Sequence, residues 1–176
     1  MFGKDKDAEP QRNVDYTEYE EGIYVGYRWF DKQGLEVSYP FGYGLSYTRF
    51  EWSEASVKSS RGETAVSVKV TNTGKIPGKD VVELYVAAPQ GELDKPVKEL
   101  KAYAKTRELQ PGESQLVTLK VKNSELASYD ESASAWVTDA GHYDFMLGSS
   151  SRDIRATLCA EIKGGSEKTN ALSFDK

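Results

Sequence analysis

The feature that most constrains the fold of this chain is a strict alternation of apolar and polar side chains in five short segments between residues 65 and 162. A period of two places every second side chain on the same face of an extended chain, so each segment predicts a half-buried antiparallel strand. The side chains predicted to point inward are Val66, Val68 and Val70; Val82, Leu84 and Val86; Val117, Leu119 and Val121; Tyr143, Phe145 and Leu147; and Ile154, Ala156, Leu158, Ala160 and Ile162.

The connecting segments support this interpretation. Residues 71–80, 108–114 and 137–143 carry the Gly, Pro, Asn and Asp residues that reversing loops prefer. Residues 50–57 and 97–106 add two further strands, which gives about seven strands and no long helical period. This pattern predicts an all-β, two-sheet sandwich of the immunoglobulin or fibronectin type III kind, with an N-terminal extension.

Three single residues in the strand region have modest predicted roles. Tyr143 follows a turn that begins at Asp139, so it is either a tyrosine corner or a core tyrosine after a turn. His142 is expected in that turn beside Gly141. Cys159 falls on the outward-facing set of its segment, so we expect a partly exposed side chain and not a nucleophile.

Composition excludes several classes of protein. The chain has 176 residues and a net charge of −5, which suits one domain, or one domain with an extension. The sequence has no run of basic residues, so a nucleic-acid-binding face is not expected. It also has no apolar run that approaches the ~20 residues of a membrane span. Residues 1–13 lack the apolar core of a signal peptide. A single cysteine excludes an intrachain disulfide and a cysteine-based zinc site, and it leaves the cellular compartment open.

Residues 15–46 differ from the strand region because they are rich in large aromatic side chains. In residues 23–30, a strand would point Ile23, Val25, Tyr27 and Trp29 to one side, and Tyr24 and Phe30 to the other. A strand that is apolar on both faces needs cover on both faces. We therefore expect this segment to dock on something outside the chain.

The chain resembles the C-terminal end of glycoside hydrolase family 3 enzymes, mainly β-glucosidases and β-xylosidases. The resemblance covers roughly residues 15–160, and it keeps both the order and the spacing of the motifs. Those motifs are EGIYVGYRWFD, YPFGYGLSYTRFEWS, VTNTGKIPGKDVVELYV, PVKELKAYAKTRELQPGES, ELASYD and DAGHYDFMLGSSSRDIR. The departures are minor: Ala102-Tyr103 replaces a usual Gly-aromatic pair, and His142 occupies a position that is more often acidic.

The resemblance implies a division of the chain. Residues 1–46 would be the remnant of a preceding α/β sandwich domain and a junction, with residues 18–30 as that domain's closing strand. Residues 47–163 would form a fibronectin type III-like sandwich, and residues 164–176 a flexible tail. The partners would be the barrel and α/β domains of the parent enzyme, which carry its catalytic carboxylates. For the parent enzyme, a periplasmic or secreted location is expected in preference to a cytoplasmic one.

The residues expected at the domain interface lie in and before the sequence YPFGYGLSYTRF, where five of twelve residues are aromatic. Gly42 and Gly44 are expected to allow backbone angles or close approaches that a side chain would block. The rings would be structural packing between domains, although they also suit weak stacking on sugar rings. Self-association through residues 18–47 is a further expectation. The interface candidates are Tyr27, Trp29, Phe41, Gly42, Tyr43, Gly44 and Tyr47.

No catalytic, cofactor or metal site is predicted within the chain. Glycoside hydrolysis needs two suitably spaced carboxyl groups, whereas the acidic pairs at Glu20-Glu21, Asp130-Glu131 and Asp5/Asp7 lie on predicted turns, tails or exposed strand ends. Three hypotheses follow: a non-catalytic accessory domain, a free-standing carbohydrate- or protein-binding module, and a small enzyme. Aromatic side chains aligned on one sheet face would favour the second hypothesis. A buried carboxyl pair in a cleft would favour the third.

Overall fold

The computed structural model describes residues 20–60 and 62–169 and contains two antiparallel sheets packed face to face. Their strands are β1 Phe50–Ser59, β2 Glu63–Asn72, β3 Val81–Ala87, β4 Glu99–Lys105, β5 Ser114–Lys122, β8 Gly141–Gly148 and β9 Ile154–Ile162. One sheet has three strands in the order β1-β2-β5, and the other has four in the order β4-β3-β8-β9. The predicted all-β sandwich and its seven strands are confirmed.

The core lies between the two sheets and consists of the side chains that the alternation predicts. Every predicted inward residue of β2, β3, β5 and β8 is buried, while those of β9 are half-buried except for the buried Ile162. β9 is an outer strand of its sheet, with a neighbour on one side only. Burial of apolar area at about 25 cal/mol per Å² makes this cluster the main source of stability.

A third, smaller antiparallel sheet is formed by β6 Ser128–Asp130, β7 Ala135–Thr138 and β10 Gly165–Lys168. Its order is β10-β7-β6, and a short 3₁₀ helix, Asn123–Leu126, precedes it. Residues 165–168 pair with β7, so our prediction of a flexible tail over residues 164–176 is wrong for these four residues. Alternation is not visible in four residues, which is why the sequence pattern missed β10. Residues 170–176 lie outside the described part of the chain.

The loop after β2 is built around the fully buried side chain of Asn72. Its carbonyl oxygen accepts hydrogen bonds from the Thr48 hydroxyl at 2.8 Å and from the Gly74 amide at 3.0 Å. Its NH₂ group donates to the carbonyl oxygens of Ile76 and Leu109, both at 2.8 Å. Glycine is required at position 74, because a Cβ atom there would lie 2.0 Å from the Thr48 hydroxyl oxygen. This cluster ties the start of the sandwich to the loop.

The turn before β8 adopts the tyrosine-corner geometry, one of the two alternatives considered for Tyr143. The fully buried Tyr143 donates its hydroxyl proton to the carbonyl oxygen of Asp139 at 2.9 Å. His142 lies in β8 opposite Glu161, as the second residue of that strand, so its predicted place in the turn is wrong. The expected exposure of Cys159 on β9 is confirmed.

The N-terminal segment contains a helix where we expected a strand. Helix α1 spans Tyr27–Gln33 and follows Gly26, whose φ of 61° breaks any extended run. Gly34, at φ 64°, ends the helix. The interpretation of residues 23–30 as a two-faced strand is therefore wrong: with 3.6 residues per turn, Tyr27 and Asp31 share the inner side while Trp29 points away. Among the described residues, no helix has the length and apolar character that a bilayer crossing requires.

Candidate functional site

Residues 20–47, which we call the strap, cover part of the outer face of the four-stranded sheet, over β3, and expose many large apolar side chains. Ten of the sixteen exposed large apolar side chains of the described residues lie in the strap. Exposed apolar patches on a protein surface often mark interaction sites. These ten side chains are Ile23, Val25, Trp29, Phe30, Leu35, Tyr39, Phe41, Tyr43, Leu45 and Tyr47.

The inner side of the strap is held to the sandwich by Tyr27. Its ring stacks on Phe41 at 5.0 Å between centroids and meets the edge of Tyr85 at 5.9 Å. The backbone amide of Leu100 donates to the Tyr27 hydroxyl at 2.8 Å. Burial raises the pKa of that hydroxyl above its usual value. Such ring pairs contribute about 0.5–1.5 kcal/mol each beyond their buried area, so Tyr27 is an anchor within the chain.

Asp31 is a second anchor, and it binds two cations of the sandwich. Its carboxylate accepts from Arg152 Nε at 2.8 Å and pairs with the ammonium group of Lys98. The Asp31 side chain is only 5% exposed and that of Lys98 10%, so their contact is well shielded from water, while the Arg152 side chain is 38% exposed. Removing one partner from a shielded ion pair costs several kcal/mol, because the other charge stays buried. The Phe41 carbonyl adds a hydrogen bond from the Ser151 amide at 2.8 Å.

Glu83 and Tyr85 lie beneath the strap on β3. Every residue from Val82 to Val86 is buried, which a sheet strand achieves only with cover on both faces. The Tyr85 hydroxyl donates to Glu83 Oε2 at 2.7 Å. Burial raises the pKa of the Glu83 carboxyl, and the hydrogen bond from Tyr85 offsets part of that rise. Burial, and then the neighbouring Glu83, raise the pKa of Tyr85 far above its ordinary value.

The structure divides the predicted interface residues into two groups. Three of them contact the sandwich: Tyr27, Phe41 and Gly42. Gly42 has φ 83°, and a Cβ atom there would lie 2.3 Å from both carboxylate oxygens of Glu83. The backbone at Gly42 therefore approaches the Glu83 side chain too closely for any other residue. Four of them face outward: Trp29, Tyr43, Gly44 and Tyr47.

The structure adds two observations about this segment. Gly44 has no positive φ, and a Cβ atom at that position would meet nothing within 4 Å, so no contact within this chain requires glycine there; its predicted close approach at a domain interface stays a prediction. The strap also does not depend wholly on something outside the chain, because one side packs on its own sheet. Residues 18 and 19 lie outside the described part of the chain.

Sequence reasoning missed the groups beneath the strap. The signal was present in VVELYV, where Glu83 and Tyr85 occupy the positions predicted to face outward. A tyrosine beside a glutamate on such a face is ordinary for a solvent-exposed strand. Only the fold shows that another segment covers them.

A second surface lies on the small sheet. Tyr129 and Trp136 are direct cross-strand partners, with ring centroids 5.3 Å apart and an angle of 61° between the ring planes. They are 42% and 48% exposed and line a groove of about 770 Å³ between the strap, β4 and the small sheet. This is the arrangement of aromatic side chains on one sheet face that would favour a binding module.

The acidic pairs considered for catalysis lie at the surface. Glu20, Glu21 and Glu131 are exposed, and Asp130 is half-buried. The Ser132 hydroxyl, followed by the Ala133 amide, lowers the pKa of Asp130. Asp5 and Asp7 lie outside the described residues. Within residues 20–60 and 62–169, no cluster of three or more His, Cys, Asp or Glu side chains could hold a metal ion.

Comparisons with known proteins agree on one group. Residues 80–151 match the family model described as a fibronectin type III-like domain. Beta-glucosidase A of Butyrivibrio fibrisolvens is 49% identical over 163 residues, which is 80% of this chain and 20% of that protein. Thermostable beta-glucosidase B of Acetivibrio thermocellus is 43% identical over 144 residues, 80% of this chain and 19% of that protein.

Solved structures give the same result. Beta-glucosidase 3B from Thermotoga neapolitana in complex with glucose matches with a TM-score of 0.83 and 44% identity, over 86% of this chain and 21% of that one. The GH3 beta-glucosidase of Bifidobacterium adolescentis matches with a TM-score of 0.79 and 33% identity, over 89% and 23%. The chain spans about a fifth of the length of the relatives it matches.

Proposed function

This chain belongs to the C-terminal, fibronectin type III-like region of glycoside hydrolase family 3 β-glucosidases, and from that premise we propose that it is a non-catalytic accessory domain of a larger glycosidase. Its role in that protein is to brace the catalytic domains. The parent hydrolyses O-glycosidic bonds, as its relatives' names indicate for them. The domain itself contributes packing surface and no reacting group.

The observation that carries this proposal is the two-sided strap. Its inner side is anchored to the sandwich by Tyr27 and Asp31, so the outer side faces away from the sandwich. The outer side carries Trp29 and Tyr47 in contact with solvent, and Tyr47 is 98% exposed. Apolar area of this kind stabilises a protein only when another surface covers it. The barrel and α/β domains of the parent are the partners that fit.

The arrangement of the shielded acids argues against a small enzyme. Asp31 and Glu83 are the two shielded acids at the contact between the strap and the sandwich. A buried carboxyl pair in a cleft would favour the hypothesis of a small enzyme. Both oxygens of Asp31, however, bind cations, from Arg152 and Lys98. Glu83 accepts from Tyr85 and lies under Gly42. A glycosidase needs an acid and a base facing a substrate cleft, about 5–9.5 Å apart.

The test compares one substitution in two settings. Tyr47→Ala in the isolated 176-residue chain should change the free energy of unfolding by less than about 0.5 kcal/mol, because the side chain contacts almost nothing. In the full-length parent the same change should lower the melting temperature clearly. Leu116→Ala, at a 63% exposed position on the other sheet, is the matched control and should be neutral in both.

Two results would contradict the bracing role. The first is a neutral Tyr47→Ala in the full-length protein, with a raised KM and an intact melting temperature, which would indicate sugar contact. The second is turnover of an aryl β-glucoside by the purified 176-residue chain, free of contaminating hydrolase. Either result is obtained with standard kinetics and thermal unfolding.

A second candidate function is carbohydrate binding by the groove of Tyr129 and Trp136. Exposed aromatic rings stack on the apolar faces of sugar rings, and carboxylates at the groove edge, such as Glu167, can accept hydrogen bonds from sugar hydroxyls. Trp136→Ala should then abolish binding of β-linked glucose oligomers in isothermal titration calorimetry. Absence of binding by the unmodified chain would contradict this second candidate.

A further inference from the structure

Among the described residues, Glu83 is a buried acid without a paired cation. It lies in the middle of β3, on the face that the strap covers, and it is 7% exposed. Its polar contact is with the Tyr85 hydroxyl at 2.7 Å, and Gly42 of the strap lies over both of its oxygens. An ionised carboxyl group in such a place is costly unless a positive charge compensates it.

The described groups around Glu83 supply no such charge. On the neighbouring strands of the same sheet, its direct partners are Tyr103 on β4 and Gly148 on β8. From the strap, Tyr27 and Asp31 face this region. The nearby cations Lys98 and Arg152 are both bound to Asp31. Within residues 20–60 and 62–169, no ion pair involves Glu83.

We propose that Glu83 is a proton-dependent latch for the strap: the covered state prefers the protonated carboxyl, and ionisation of Glu83 loosens the strap. Covering the carboxyl excludes water and penalises its charged form, so the docked strap binds the proton more tightly than the open one. The elevated pKa of Glu83 agrees with this direction. Docking is therefore favoured at acid pH and weakens as pH rises through the raised pKa. Each unit of difference in pKa changes the docking equilibrium about tenfold.

Asp31 gives strap docking the opposite dependence on pH, and the experiment must separate the effect of Asp31 from that of Glu83. Its carboxylate binds Lys98 and Arg152 only when it is ionised, so acidification weakens that anchor. A comparison of the unmodified chain with Glu83→Gln at the same pH cancels the Asp31 contribution. Glutamine keeps the shape of the side chain and its acceptor for the Tyr85 hydroxyl, and it cannot ionise.

The experiment is hydrogen–deuterium exchange of peptides from residues 20–47 in the full 176-residue chain, between about pH 5 and pH 8. The measured quantity is the exchange rate of these peptides in the unmodified chain divided by the rate in Glu83→Gln. The intrinsic, pH-dependent exchange rates are the same in both chains and cancel in this ratio. We expect that ratio to rise with pH, by about tenfold for each unit by which docking raises the pKa. A ratio that stays constant over this range would overturn the latch.

Tyr85→Phe is the second variant and makes the test independent of Glu83→Gln. Without the hydroxyl donor the ionised carboxyl loses the hydrogen bond that stabilises it, so the pKa of Glu83 rises further and the pH-dependent change in strap exchange should move to higher pH than in the unmodified chain. Glu99→Gln is the matched control, because it removes the partly buried pair of Glu99 with Arg28 of the strap and keeps Glu83; the rise of strap exchange with pH should persist in it. An unchanged pH dependence in Tyr85→Phe would also overturn the proposal.

Discussion

Gly42 lies directly above the carboxyl group of Glu83, so closely that a Cβ atom at position 42 would be 2.3 Å from both oxygens. At this point the strap meets β3 through its backbone alone. Gly42 also has φ 83°, which side-chain-bearing residues seldom adopt. Two independent restrictions therefore require glycine here.

Gly42→Ala should loosen the strap and destabilise the chain by about 1–3 kcal/mol, through backbone strain and displacement of Glu83. Gly44→Ala, two residues later, should have almost no effect, because a Cβ atom there meets nothing within 4 Å. Chemical denaturation of both variants measures the difference. Equal stabilities for the two would mean that the strap does not contact Glu83 in solution.

Asp31→Asn should destabilise the contact between the strap and the sandwich by about 2–3 kcal/mol, because Lys98 and Arg152 keep their charges and lose their partner. The expected cost is below that of a fully buried pair, since the Arg152 side chain is 38% exposed. Glu54→Gln, which removes the surface pair with Lys69, should cost at most about 1 kcal/mol. Urea unfolding at neutral pH compares them, and similar costs would contradict the shielding of Asp31.

Deletion of residues 1–46 should leave a folded and more soluble sandwich with a lower melting temperature than the whole chain. The core between the sheets keeps all its members, and the exposed rings of the strap are removed. Stability falls because Tyr85 loses its cover. Circular dichroism, thermal unfolding and sedimentation velocity report these effects. Loss of the β-sheet spectrum would show that the strap belongs to the folding unit.

Asn72→Ala should cost on the order of 3 kcal/mol, since it removes four hydrogen bonds of a fully buried side chain and leaves buried partners unpaired. Thr73→Ala, at the exposed neighbouring position, is the matched control and should be nearly neutral. Thermal unfolding distinguishes the two variants. A stable Asn72→Ala chain would mean that water replaces the missing amide.

Short-range patterning predicted the sandwich well because alternation is a property of neighbouring residues. Val66, Val68 and Val70 are buried since a strand must point every second side chain to the same side. The same rule failed at Tyr27 and Trp29, where two glycines with positive φ enclose a helix of seven residues. One short stretch of mixed apolar residues contains too little periodicity to tell a helix from a strand.

By itself, the amino-acid sequence determined the strands, their inward faces, the reversing loops and an aromatic segment outside the alternation, because each depends on local geometry and on side-chain polarity. Only the tertiary structure decided which side of that segment is covered, since Asp31 meets Lys98 across 67 residues of chain and Arg152 across still more. Pairings at such separation depend on where two sheets and a helix are placed in space, and no local period encodes that placement.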